Sequence, residues 1–143
     1  MTATYQQATN EILTALKDAW DADGDSSSYP IRYWDTADAA SPATPWARAT
    51  VRLQDGAQAT LSSDTGARRF RRFGLVTVQI FTEWGKNTTL KYTLTKIVSE
   101  AFEGVTTSPG RVIFRNVRVN EVGQDGQWFQ TNVLADFEYD EIR

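Results

Sequence analysis

Residues 128 to 139 constrain the fold more than any other stretch of this chain. From Trp128 to Tyr139 the side chains alternate strictly. Phe129, Thr131, Val133, Ala135, Phe137 and Tyr139 fall on one face of an extended strand, and Trp128, Gln130, Asn132, Leu134, Asp136 and Glu138 on the other. Arg111 to Val122 and a turn at Gly123-Gln124-Asp125-Gly126-Gln127 precede it, so the whole reads as one long β-hairpin. The first face is core. The second mixes a large aromatic with amides and acids, which suits a wet contact surface better than a core or a bare exterior.

A chain of 143 residues forms a single domain, 1–143, with a core of its own. It contains no cysteine, which excludes a disulfide framework and thiolate metal sites. It also contains no histidine, so Ser-His-Asp and Cys-His nucleophile systems and most zinc or non-haem iron sites cannot be built. No cofactor is expected, and an enzyme would have to work with carboxylates, Lys or Tyr. The net charge of −3 argues against nucleic-acid binding as the main task. Met1-Thr2-Ala3-Thr4 has no basic flank or apolar run, so no signal peptide is expected. No segment approaches the roughly 20 apolar residues of a membrane span, and the protein is expected in the cytoplasm when made.

Tyr5 to Trp20 has the spacing of an amphipathic helix, with Tyr5, Ala8, Ile12, Leu16, Ala19 and Trp20 as its stripe and Thr4 with Gln7 as a capping box. The polar run Asp21 to Ser28 ends it. Pro30 to Trp34 is a short strand, and Thr36 to Pro45 an irregular connection. Trp46 to Leu53 alternates again, and Asp55-Gly56 is expected to turn it into a weaker strand around Ala57 to Leu61. Ser62 to Arg72 reads as an exposed, mobile loop carrying Arg68, Arg69, Arg71 and Arg72. Phe73 to Thr82 is the central strand, with Val76, Val78 and Ile80 inward. A second helix runs from about Thr88 to Glu103, with Leu90, Leu94, Ile97, Val98, Ala101 and Phe102 inward and Gly104 as its stop.

The fold class is therefore α+β: a mixed, mainly antiparallel sheet with two helices on one face, in the order α-β-β-(β)-β-α-β-β. Two helices, each roughly 10 Å across, cover about four strands at ~4.8 Å spacing, and only on one side. The other face stays uncovered. It should hold Trp46, Arg48, Arg52, Gln79, Trp128, Gln130 and Asn132, and aromatics and arginines are the residue types that carry interface energy. A solvated face with incidental tryptophans is the bland alternative.

Other chemistry is thinner. Asp21, Asp23 and Asp25 resemble the opening of a calcium loop, but the sixth and twelfth positions are Ser26 and Arg32, and the match fails. Asp136, Glu138 and Asp140 share a strand face, so paired-carboxylate acid/base work is conceivable. A solvated row, or the partner of a basic patch, is the commoner meaning of such residues. The arginine cluster has two open readings: a solvated loop tip, or a segment that orders against an acidic partner surface.

The ordered set of Tyr5-Gln6-Gln7-Ala8, Pro30 to Trp34, Pro45-Trp46-Ala47-Arg48, Arg72 to Phe81, Trp128 to Val133 and Phe137-Glu138-Tyr139 resembles the tail terminator (tail completion) proteins of long-tailed bacteriophages and phage-like particles. The resemblance spans nearly the whole chain and rests on structural motifs. It implies a virion structural protein, not an enzyme, that forms a homo-oligomeric ring, usually a hexamer, at the head-proximal end of the tail. Its implied partners are the tail tube protein and a head-side connector or neck protein, with DNA only as passing cargo and no membrane. The candidate interface is then Trp46, Arg48, Arg52, Arg68, Arg69, Arg71, Arg72, Trp128, Gln130, Asp136 and Glu138. Two alternatives stay open: another neck or head–tail adaptor protein, and a small carboxylate-dependent enzyme or ligand-binding domain.

Overall fold

A computed structural model describes residues 3–22, 29–33, 44–59, 66, 68–85 and 88–143. In chain order these form α1 (Tyr5–Ala22), β1 (Ile31–Tyr33), β2 (Trp46–Gln58), β3 (Arg69–Glu83), α2 (Thr88–Phe102), β4 (Ile113–Asp125) and β5 (Trp128–Ile142). The strands make one sheet in the order β1-β2-β3-β5-β4. β1 runs parallel to β2, and every other pairing is antiparallel. The expected α+β class holds.

The covered face follows from the period-2 pattern. Ala49, Val78 and Val133 form one cross-strand row and Val51, Val76 and Ala135 the next, all buried. Ala8, Ile12, Leu16 and Trp20 of α1 and Leu94, Val98, Ala101 and Phe102 of α2 close over them. The start of α1 is fixed as expected, with the Gln7 N–H donating to Thr4 Oγ1 at 3.2 Å. At its end, the Trp20 indole N–H donates to the Tyr29 carbonyl at 3.0 Å, which ties the helix to the approach to β1. The Phe137 ring closes on Gly74, where a Cβ would collide with it and with the Arg52 carbonyl oxygen. That close approach is why the strongest strand carries a glycine.

Two expectations fail. Asp55-Gly56 does not turn: β2 runs on to Gln58, pairing Gly56 with Arg72 and absorbing one extra residue in a bulge between Leu53 and Asp55. The turn dipeptide loses because the ladder to β3 continues past it. Nor is Arg69 to Arg72 a loop. It is the first turnless stretch of β3, clamped between β2 and β5 through Arg71↔Ala57 and Arg71↔Asp140. Residues 62–65, Asp23, Asp25, Trp34 and most of the connection from Thr36 onward lie outside the described residues.

Candidate functional site

The face of the sheet opposite the helices is built in rows. Trp46–Phe81–Gln130, Arg48–Gln79–Asn132, Thr50–Thr77–Leu134 and Arg52–Leu75–Asp136 follow one another across β2, β3 and β5. Past the β2 bulge come Asp55–Phe73–Glu138 and Ala57–Arg71–Asp140. The seven residues expected to share an uncovered face therefore do share one. The face is not uniform along its length.

One end is aromatic and amide-rich. The Trp46 and Phe81 rings stack with centroids 4.3 Å apart and planes 14° apart. The Arg48 guanidinium lies 5.2 Å from the Trp46 centroid and Arg32 lies 5.3 Å from it. Trp46 is left only 7% exposed although neither α1 nor α2 covers this face. The Gln130 side-chain N–H donates to Asn132 Oδ1 at 2.9 Å, and Trp128 beside them is half-buried opposite Glu83 and Asp125.

The other end is ionic. Arg71 Nε donates to Asp140 Oδ1 at 3.1 Å, and Arg69 lies 3.7 Å from the second oxygen. Arg115 donates through Nε and Nη2 to one oxygen of Glu138, at 2.9 and 2.7 Å, and Arg118 sits 3.5 Å from Asp136. The hydrogen bond and charge of Asp140 push the Arg71 guanidinium above its already high ordinary pKa, so it stays cationic. The acidic row and the arginines expected to meet an outside partner thus meet each other within one subunit. Arg72 is separated from this set. It faces the helix side, 3.3 Å from Glu141 and over the Phe70 ring. Arg68 lies just before β3, its backbone N–H and C=O paired with Arg143.

Sequence reasoning missed Arg115 and Arg118. They are three residues apart, which breaks strand alternation, yet a bulge between them restores both to the open face. Asn116 takes up the irregularity at φ 53°. An Asn among charged residues was the available signal. Phe81, the stacking partner of Trp46, was also missed, because alternation alone does not say which strand is the neighbour. Among the described residues, no group of three or more acidic side chains converges as a metal site.

No family model matches the chain, and no curated protein is similar to it. Solved structures are similar to it over nearly its full length. One chain, described without a function, superimposes with a TM-score of 0.70 at 15% identity, covering 95% of both chains. Another belongs to the virion of a native gene transfer agent particle, with a TM-score of 0.53 and 16% identity over 96% of this chain and 99% of that one. At these identities the likeness establishes the α+β fold as one shared by whole, similarly sized proteins.

Proposed function

We propose that this protein is a non-enzymatic structural component of a phage-like particle, and that it caps the head-proximal end of a tail tube as a ring, with six subunits the expected number. The observation that carries the reading is the end-to-end likeness, 99% of that chain and 96% of this one, to a subunit of a gene transfer agent virion. The match spans nearly all of both chains, so the assembly surfaces argued from it lie on the shared fold. The open sheet face suits that role, since it offers Trp128, Gln130 and the Arg48 side of the Trp46 stack to a neighbour. Closure would be by a heterologous contact repeated around the ring. The tube subunit and a head-side neck protein are the further partners, DNA passes through the centre, and the protein resides in the virion.

Electron microscopy of the purified protein with and without its tube subunit tests this. Rings or capped tubes of uniform length are expected. Trp128→Ala should weaken assembly by about tenfold or more while leaving the fold intact. Tubes of unlimited length in the presence of the protein would overturn the proposed role, and an assembly-competent Trp128→Ala variant would move the interface elsewhere.

A further inference from the structure

At the ionic end of the open face, Arg69, Arg71, Arg111 and Arg115 surround Glu138 and Asp140 in a pocket of about 290 Å³. Four guanidiniums carry about twenty N–H donors, against four carboxylate oxygens. Glu138 and Asp140 occupy Arg115, Arg71 and Arg69. Arg111 pairs with no carboxylate among the described residues, and it is exposed. It is also held in place. Arg111 sits at φ 58°, in the left-handed region that a branched-free polar residue adopts only under constraint. The constraint is visible. The Gly110 N–H donates to both oxygens of Glu11 at 3.0 and 3.1 Å, and the Thr107 hydroxyl donates to the same carboxylate at 2.6 Å. The Val112 N–H returns to Thr107 Oγ1 at 2.9 Å. Arg111 is thus presented by a turn that α1 itself pins.

From this geometry we infer that the pocket is a docking site for a carboxylate-bearing segment of a neighbouring protein, with Arg111 as the guanidinium that meets the incoming acid and Arg71 and Arg115 offering it the N–H groups that Asp140 and Glu138 leave unused. Planar guanidinium forks match carboxylates two-on-two. Apolar side chains flank the pocket: Phe73 opposite Glu138 and Ile142 opposite Arg69, 37% and 45% exposed. These would seat a hydrophobic residue next to the acid. A nucleic-acid backbone fits less well. It needs cations repeated along a track, whereas the neighbouring rows return to balance at Arg118–Asp136 and the whole chain is net −3. The inference stands on the pocket and does not depend on the ring.

The test uses the full chain and a fluorescein-labelled hexapeptide of alternating glutamate and leucine, read by fluorescence polarisation at about 50 mM salt, where screening is weak. An alternating lysine–leucine hexapeptide and an oligothymidylate of matched charge serve as comparison probes. Saturable binding of the acidic peptide is expected, falling steeply with salt. Arg111→Asn, which tolerates the positive φ, should weaken it roughly threefold, and Arg111→Asn with Arg115→Gln about tenfold, with circular dichroism unchanged. Lys96→Gln, on the exposed side of α2, should leave it as it was. Binding that ignores Arg111→Asn, or no saturable binding, overturns the proposal. So does tighter binding of the oligothymidylate through the same arginines, which would make the site a phosphate-backbone contact.

Discussion

The two faces of this sheet share the same strands and hold together by different physics. On β5, Val133, Ala135 and Phe137 are sealed under the helices, while Leu134, Asp136 and Glu138, one residue away each time, stand on the open side. The covered face relies on burial, which is non-directional and readable as apolar alternation. The open face relies on particular pairs: a ring stack, an amide bridge and arginine–carboxylate contacts across strands. Burial by helices is also not the only way to close a surface here. Trp46 reaches near-core burial on the open face, where it stacks on Phe81 beside the Arg32 and Arg48 guanidiniums.

The largest expected effect tests the difference directly. Phe137→Ala removes a ring that fills the space over Gly74 and should cost about 3–5 kcal/mol in urea unfolding. Leu134→Ala, three residues earlier on the open side, should cost about 1 kcal/mol or less in the isolated subunit. Equal losses would mean the open face is a second core.

Trp46 breaks the simple division, and its expected effect is the next in size. Trp46→Ala should cost about 2–4 kcal/mol of subunit stability, since it deletes a buried ring and its stack with Phe81. That contrasts with Trp128→Ala, which is expected to act on assembly. Unchanged unfolding with lost assembly in Trp46→Ala would return this tryptophan to the interface, where its sequence pattern first put it.

What could be read from the sequence was what local periodicity encodes. Of the α1 stripe, Ala8, Ile12, Leu16 and Trp20 are buried and Ala19 packs at its edge, while Tyr5 is 40% exposed; the alternation of β5 and the hydrophobic side of β3 came out where spacing placed them. The grouping of Trp46, Arg48, Gln79, Gln130 and Asn132 on one face also followed, from alternation plus the width of two helices. The pairings were not legible. Arg69 to Arg72 looks like a loop in any local window, because the acids seen to match its charges, Asp140 and Glu141, lie about 70 positions away. Cross-strand ion pairs of that kind make a strand from residues with little intrinsic preference for one. Asp55-Gly56 is a turn signal on its own and a bulge neighbour once β3 runs alongside. The pocket around Arg111 was hidden for the same reason, since it takes a turn pinned by Glu11 and a bulge in β4 to bring its parts together.

The smallest expected effect lies at the edge of the covered face, where burial meets the charged end. Tyr139 is 2% exposed, and its hydroxyl oxygen is buried without a hydrogen-bond partner among the described residues. Burial pushes its ionisation up to about 12, with the nearby Glu141 charge adding to the rise and Arg72 opposing it. In the unfolded chain the phenol releases its proton near 10.0. The folded state therefore holds the proton where the unfolded state has lost it. Stability is unaffected by this group below pH ~10 and falls as pH rises from about 10 to 12. Tyr139→Phe removes that slope. At neutral pH it also removes an unsatisfied hydroxyl from the interior, so stability should change by only about 0–1 kcal/mol, in the favourable direction. Urea unfolding of both proteins at pH 8 and pH 11 measures the difference, and other tyrosines cancel because both proteins carry them. The gap in favour of the phenylalanine variant should widen at pH 11. Parallel losses in the two proteins would show that water reaches the Tyr139 hydroxyl, and that the helices seal less of the covered face than its alternation implies.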